Sequence, residues 1–214
     1  HHPIEYTAGR TIPIIRTKVM DFFFGKNLVV NQPNRSLDNY VSNYIKEYKE
    51  FEKDFDPNSE MSYTYNWEQS SHMGILFNDD NILTIYNGFY QYSGGVHGIF
   101  GTDFYSINLQ TGAKIELNDI FVPDFRRTIT PLIIDALKNY HQVETDKELN
   151  EILFDLNDIE VSENFYICKG GIGFYYNVYE IAPYAAGTSE AFIPFEKIKG
   201  VFRSNSPVSH FIEK

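Results

Sequence analysis

Short polar turns separate strand-like runs in the middle of the chain, and this pattern constrains the fold most. Apolar and aromatic residues alternate with polar ones over 63–77, and strand-like runs follow over 82–92 and 99–109. Residues 78–81 are all Asn or Asp, whose short side chains tolerate left-handed backbone, and residues 110–112 end in a glycine. Consecutive strands joined by such short turns predict an antiparallel meander.

The C-terminal part predicts three more strands. Residues 164–169 and 172–177 flank Gly170 and Gly171, which together favour a tight hairpin turn. Residues 188–194 predict another strand, and 195–201 have the apolar spacing of a final helical turn.

The N-terminal part predicts one strand and one helix. Residues 10–19 alternate weakly through three isoleucines and are predicted as a first strand. A helix follows, with Ser36 as its N-cap and Pro57 as its stop. Its apolar stripe consists of Leu37, Val41, Tyr44, Tyr48, Phe51 and Phe55.

Two more helices are predicted between the strand blocks. Residues 129–140 share an apolar face, and Pro131 fits either a first turn capped by Thr130 or a kink in a helix that begins near Asp124. Residues 145–148 have the pattern of a capping box, which predicts a short helix to about residue 156.

Blocks of strands with helices between them predict an α+β fold: an antiparallel sheet packed by two to four helices in a single domain. Within it, residues 1–60 are predicted as an N-terminal strand and helix that pack on the core, and residues 61–214 as the main α+β part. The chain has no run of about 18 apolar residues, so no membrane span is predicted.

Charge and aromatic content favour some partners over others. The formal net charge is −11, and no basic stripe is present, which argues against nucleic-acid binding. An acidic surface favours cationic partners and speeds their encounter. The 16 Tyr and 18 Phe include amphipathic side chains suited to contact surfaces.

The first candidate segment is a glycine-rich loop at 90–98. Its predicted site residues are Ser93, Gly94, Gly95, His97 and Gly98. Glycines allow positive φ or a close approach of another group, and a histidine fixed in such a loop can donate to a carbonyl or carboxylate. The segment is therefore either a binding loop or a structural turn that the histidine stabilises.

The second candidate segment lies at 179–187, between two predicted strands. Its predicted site residues are Tyr179, Glu180, Pro183, Tyr184 and Gly187. A tyrosine beside a proline is a suitable anchor for a partner, because it offers a large contact area at a low entropic cost. The competing interpretation is a buried crossover loop.

Catalytic motifs are missing from the chain, which favours binding over catalysis. It contains no G-x-S-x-G elbow, phosphate-binding P-loop or H-E-x-x-H pattern. A hydrolase using His97 with Glu180 or Asp119 as acid and base is an alternative hypothesis, although Asp119 also suits a turn brace. The spacing of His97, Asp103 and Glu180 does not match that of known zinc ligands, so no zinc site and no cofactor are predicted.

The single cysteine, Cys168, is predicted as a buried small apolar residue.

Four motifs in order indicate a family. They are Gly-Gly-Val-His-Gly at 94–98, Asn-Leu-Gln-Thr-Gly at 108–112, Leu-Asn-Asp-Ile-Phe at 117–121 and Tyr-Glu-Ile-Ala-Pro-Tyr-Ala-Ala-Gly at 179–187. Over roughly residues 61–202 the chain resembles the RsiV-like extracellular domain family. That family includes the sensing domain of the anti-sigma factor RsiV and a non-catalytic domain of the peptidoglycan deacetylase PdaC.

The resemblance implies more than the residues do. It implies an α+β fold and a place outside the cytoplasmic membrane, where many members are exported proteins or lipoproteins with a lipid anchor. It implies a cationic protein such as lysozyme, or peptidoglycan, as the partner. The chain shows neither a transmembrane helix nor a sigma-binding segment, so signalling like that of RsiV is not implied. A structural lipoprotein domain without a specific ligand is the third hypothesis.

Overall fold

The computed structural model describes residues 4–28, 32–56, 58–60 and 62–211, and the predicted α+β fold is confirmed. The helices in these residues are α1 (Ile4–Phe24), α2 (Pro33–Phe51), α3 (Leu117–Ile120), α4 (Phe125–His141), α5 (Asp146–Ile152) and α6 (Phe195–Ile198). The strands are β1 (Glu68–Asp79), β2 (Ile82–Tyr92), β3 (Ile99–Asn108), β4 (Phe165–Cys168), β5 (Gly171–Tyr176) and β6 (Ser189–Pro194).

The chain divides into two compact units. The first unit comprises residues 1–73, 87–100 and 110–112, and the second comprises residues 74–86, 101–109 and 113–214. Strands β1, β2 and β3 form one sheet in that order, and each strand passes from one unit to the other. Strands β4, β5 and β6 form a second, antiparallel sheet that lies entirely in the second unit.

The predicted meander is confirmed in β1, β2 and β3. Asp80 and Asn81 connect β1 to β2 with φ of 48° and 65°, which is the left-handed turn expected of these residue types. The prediction fails before Glu68, because residues 62–65 form a 3₁₀ turn rather than a strand. The reason is packing: the rings of Tyr65 and Trp67 lie 4.8 and 5.0 Å from the Phe51 ring.

The prediction of a strand at residues 10–19 is wrong, because these residues lie within α1. Strand alternation would place Ile12 and Ile14 on a buried face, yet they are 58% and 46% exposed. Within 11–19 the less exposed positions are instead Thr11, Ile15, Lys18 and Val19, which have the three- and four-residue spacings of a helix. A period of 3.6 residues describes this burial and a period of two does not.

The helix predicted from residue 37 onward is confirmed as α2, although both predicted ends change. Gln32 is the N-cap and Pro33 the first helical residue, because proline has no N–H to leave unpaired there. Ser36, the predicted cap, is buried inside the helix, and its hydroxyl donates to the Gln32 carbonyl over 3.3 Å. The helix ends at Phe51, so Phe55 lies outside it, and the predicted stop at Pro57 falls outside the described residues.

The core of the second unit forms where α4 packs against β6. Helix α4 begins after Asp124, which has φ of 65°, so Pro131 lies inside the helix and the longer of the two predicted helices is the one observed. Side chains four residues apart on α4 are almost completely buried: Phe125, Ile129, Ile133 and Leu137. On the sheet, Phe174 of β5 is 0% exposed.

The predicted hairpin of β4 and β5 and the capping box of α5 are both confirmed. The turn residues are Lys169 and Gly170, while Gly171 already pairs with Cys168 in the sheet. A Cβ at Gly171 would lie 2.3 Å from the Ile193 carbonyl oxygen, so the close approach of β6 requires glycine there. Cys168 is half-buried rather than buried, as strand alternation directs its side chain to the outer face.

Candidate functional site

The second candidate segment is a loop anchored in the second unit. Ile181 and Ala182 are 8% and 2% exposed and belong to the core. The Phe154 N–H donates to the Ile181 carbonyl over 2.9 Å, which fixes the loop from a neighbouring segment. Since its middle is buried, the loop presents Tyr179 and Pro183 to solvent from a rigid base.

The backbone of this loop adopts conformations that few residues tolerate. Tyr179 has φ of 70°, the left-handed region that a bulky side chain seldom occupies. Gly187 has φ of 74° and ψ of −151°, a region restricted to glycine. The rings of Tyr179 and Tyr184 lie 5.7 Å apart as a tilted pair. The unusual backbone thus positions two tyrosine rings side by side at the surface, and observed strain of this kind often marks a functional segment.

Two asparagines attach the edge of β3 to the ends of the β4–β5 hairpin. Asn177 accepts the Thr102 N–H over 2.8 Å, and Asn164 accepts the Phe104 N–H over 2.9 Å. The Asn164 amide also donates to the Thr102 carbonyl over 2.8 Å. These bonds satisfy main-chain groups of an edge strand and bring Asp103, between Thr102 and Phe104, next to the start of the loop.

Asp103 and Glu180 form a pair of perturbed carboxyl groups beside the tyrosines. Partial burial raises the pKa of Asp103, and a hydrogen bond from the Asn177 amide, 3.3 Å long, partly offsets that rise. Burial also raises the pKa of Glu180, and the negative charge of Asp103 raises it further. Each carboxylate would be stabilised by a cationic group from a partner, which would restore the favourable interactions lost on leaving water.

Replacing Asp103 with asparagine should change how stability depends on pH. A carboxyl whose pKa is raised in the folded state stabilises the fold below its unfolded pKa, and this contribution is lost as the pH rises through the folded pKa. Asp103→Asn should therefore be more favourable, relative to wild type, at pH 7 than at pH 3. Chemical denaturation at both pH values measures this, and Asp38→Asn at an exposed position of α2 is the control.

The same substitution should lower the pKa of Glu180, because it removes a neighbouring negative charge. Carboxyl chemical shifts followed by NMR report this pKa directly. An unchanged Glu180 titration would show that the two groups do not interact.

The first candidate segment is a turn between β2 and β3 in the first unit. Gly94 and Gly95 have φ of 98° and 97°, which confirms the need for glycine at both positions. The Tyr92 hydroxyl donates to the Gly95 carbonyl over 3.0 Å. His97 Nδ1 lies 3.0 Å from the Gly98 carbonyl oxygen, so its Nδ1–H donates there in the matching tautomer. Val96, at the tip, is 94% exposed.

Gly94→Ala should destabilise the protein by about 1–2 kcal/mol, because an L-residue is strained at this φ. Contact adds to the strain, since a new Cβ would lie 3.3 Å from the Thr64 carbonyl oxygen. Gly95→Ala carries the same strain but has nothing within 4 Å, so it should cost less. Thermal unfolding of both variants measures the difference. Equal losses would rule out the contact as a contributor.

The predicted site residues therefore divide between the two units. Gly94 and His97 belong to the first unit, and Tyr184 belongs to the second. The Asp119 carboxylate accepts the Glu116 N–H over 2.9 Å in a capping box, which confirms its predicted role as a turn brace. Within the described ranges, no group of three or more His, Cys, Asp or Glu side chains is arranged to hold a metal ion.

Sequence reasoning missed two residues at the second-unit loop. Asn177 orients Asp103, and Phe154 is 57% exposed although its N–H anchors the loop. The sequence contains only a weak signal for these contacts. Asn164 and Asn177 lie at the two ends of an aromatic hairpin, and polar residues at both ends suggest hydrogen bonds to another strand. Nothing in the local sequence connects residue 154 to residue 181.

The negative charge is concentrated in the second unit. That unit contains 19 acidic and 10 basic residues, whereas the first contains 10 acidic and 8 basic residues. The net charge is −9 in the second unit and −2 in the first, so a cationic protein would be attracted mainly by the unit that carries residues 179–187, the tyrosine loop.

Comparison with known proteins identifies relatives of both parts of the chain. Residues 17–100 match the family described as deacetylase PdaC, and residues 118–196 match the family described as protein of unknown function DUF3298. The loop at 93–98 lies in the first match and the loop at 179–187 in the second. No curated protein matches the chain. The resemblance predicted from the motifs is confirmed as far as these two matches reach, while specificity like that of RsiV stays a prediction.

Two crystal structures of DUF3298 family proteins resemble the chain. One, from Bacteroides fragilis, has a TM-score of 0.84 at 27% identity, over 96% of this chain and 83% of that one. The other, from Pseudomonas aeruginosa, has a TM-score of 0.56 at 20% identity, over 72% of this chain and 69% of that one, and shows the fold alone. Among the residues that the structure describes, no helix is both long and apolar enough to cross a membrane.

Proposed function

We propose that the chain is an extracytoplasmic cell-envelope binding module, without catalytic activity of its own, whose second unit recognises a cationic lysozyme-like muramidase. One observation carries this proposal: an anchored, strained loop presents Tyr179, Pro183 and Tyr184 beside the carboxyl pair of Asp103 and Glu180. The match to a family described as deacetylase PdaC supports a place in the cell envelope.

The chemistry of this surface suits a protein partner. Tyrosine rings on a rigid base give contact area with little loss of side-chain entropy, and they are enriched among the residues that dominate binding energy. Partly desolvated carboxylates gain from a lysine or arginine placed against them. The net charge of −9 on this unit would also speed encounter with a basic protein.

Catalysis is the less supported function. The hydrolase hypothesis needs His97 with Glu180 or Asp119, and Asp119 is engaged with the Glu116 N–H. His97 Nδ1 is directed at the Gly98 carbonyl of its own loop. The pair of Asp103 and Glu180 has raised pKa values, but acid–base chemistry also requires a cleft that orients a substrate, and Tyr179 and Glu180 at the start of the loop are exposed.

Calorimetric titration of the protein with a c-type lysozyme, at about 0.1 M and about 0.5 M salt, tests the proposal. A shape-specific interface should persist at the higher salt, where screening shortens the range of charge–charge attraction. The control partner is a basic protein of similar size without a muramidase fold. Binding that disappears at high salt, or that the control reproduces, would contradict specific recognition, and peptidoglycan fragments would then be the next ligands.

A further inference from the structure

Half of β1 is an exposed outer strand in the first unit. Among the residues that the structure describes, β2 is the only strand beside β1 in the sheet, and each residue of 68–73 is exposed. An outer strand directs alternate N–H and C=O groups away from its sheet, where they can pair with another extended chain. Natural proteins usually cover or shorten such edges, so six consecutive exposed residues in a strand are unusual.

A cleft lies beside this half-strand. Its volume is about 240 Å³, which suits one or two apolar side chains rather than a drug-sized molecule. None of the side chains lining it is charged. From the helices they are Phe23, Leu37, Tyr40, Val41 and Tyr44, and from β1 they are Gln69 and Ser71.

The apolar surface continues from the cleft along α2. Leu37, Val41 and Ile45, four residues apart, are 48%, 44% and 45% exposed. The row extends over about 12 Å, at 1.5 Å per helical residue. An extended chain covers that length with about four residues, of which alternate ones point to the same side. The row therefore has room for two side chains of an added strand.

The carboxylate of Glu68, beside the cleft, indicates which charge a bound peptide should carry next to its inserted side chain. Burial and the negative charge of Glu68 raise the pKa of the Tyr44 hydroxyl, so Glu68 acts on a residue that lines the cleft. Glu68 is exposed and begins β1. A basic residue at the end of the occupant could pair with it, while an acidic one would be repelled.

We propose that the first unit binds an extended peptide segment of another protein, which adds to the outer edge of β1 at 68–73 and inserts an uncharged apolar side chain into the cleft. The segment carries apolar side chains at alternate positions and a basic residue near Glu68. This is strand addition, in which main-chain hydrogen bonds provide affinity and a pocket provides specificity. The site lies in a unit that the proposed recognition of lysozyme does not use.

The single tryptophan of the chain provides the readout. Trp67 immediately precedes β1, and its ring lies 6.1 Å from the ring of Tyr44 in the cleft wall. The probe is a blocked octapeptide of alternating leucine and threonine with a lysine at each end. Its titration into the full chain should change Trp67 fluorescence in a saturable way. A copy with every internal backbone amide N-methylated keeps every side chain but has no internal N–H to donate along either edge, and it should lose binding.

A matched pair of variants tests the cleft. Val41→Lys places a charge in the lining at a position that is already exposed, and it should weaken peptide binding at least tenfold. Ser42→Lys adds the same charge one residue away, outside the lining, and should change binding less than twofold. Circular dichroism confirms that both variants are folded.

Four results would overturn the proposal: no saturable signal with the wild type, equal binding of the N-methylated peptide, equal effects of Val41→Lys and Ser42→Lys, or dimerisation of the chain that Val41→Lys abolishes. The last result would identify a second copy as the occupant.

Discussion

Tyr184→Ala is expected to weaken binding to a c-type lysozyme by about 2 kcal/mol, roughly 30-fold in Kd. Tyr184 begins a short 3₁₀ turn after Pro183, and its ring is paired with that of Tyr179. The backbone is fixed by the Gly187 N–H, which donates to the Tyr184 carbonyl over 3.0 Å. Because the backbone of the loop is already fixed, truncation of the Tyr184 side chain should remove contact area without changing the backbone conformation.

A matched control separates this effect from general loss of aromatic surface. Tyr63 is 50% exposed in the first unit, which the proposed lysozyme surface does not use, so Tyr63→Ala removes an equal side chain from another part of the chain. It should change Kd less than twofold, measured by the same calorimetric titration. Wild-type affinity in Tyr184→Ala would remove this residue from the binding surface.

Phe174→Ala is expected to lower the free energy of unfolding by about 3–5 kcal/mol. The side chain is 0% exposed in β5, and its neighbours across the sheet are Phe165 and Ala191. Truncation loses the transfer free energy of the ring and leaves a cavity in a core that is fixed by strands on both sides. Such a loss is a large fraction of the stability of an ordinary domain.

Phe192→Ala is the control for the core prediction. Phe192 lies on neighbouring β6 but is 40% exposed, and its main ring contact is a stacked Tyr166 at 6.5 Å. The loss there should be about 1 kcal/mol, the value of an aromatic pair near a surface. Urea denaturation measures both variants. Similar losses would mean that Phe174 is not the centre of this core.

The sequence predicts most of the second unit, because burial there follows local periodicity. Local patterns predict both strands of the β4–β5 hairpin, β6 and the capping box at Thr145 within a residue or two of where they lie. The sequence allows two starts for α4 because Pro131 fits either, and the left-handed backbone of Asp124 fixes the earlier one. The tertiary contact between α4 and β6 is not visible in a local window of the sequence.

The sequence predicts the first unit less well, because aromatic packing overrides local alternation there. Tyr63, Tyr65 and Trp67 alternate with polar residues as in a strand. The rings of Tyr65 and Trp67 nevertheless pack against the ring of Phe51 in an aromatic cluster. Residues 10–19 present the same difficulty, since three isoleucines within four positions fit a strand or a helix equally well.

The candidate site could be predicted as residues but not as an arrangement. The motif at 179–187 identifies the loop, and glycine chemistry predicts the positive φ of Gly94 and Gly95 in the other candidate segment. The pairing of Asp103 with Glu180 depends on the Asn177 and Asn164 hydrogen bonds to β3, which join positions 60 and 75 residues apart. Such contacts have no periodic signal in the sequence.

Hydrogen exchange of the chain, alone and saturated with a c-type lysozyme, tests the central claim most directly, because it locates the binding surface. We predict slower exchange in residues 177–187 and 153–155, whose backbones meet at the Phe154 N–H and the Ile181 carbonyl. Exchange in residues 68–73 should be unchanged. Unaltered exchange throughout 177–187, whether or not other segments become protected, would contradict recognition of lysozyme through the tyrosine loop.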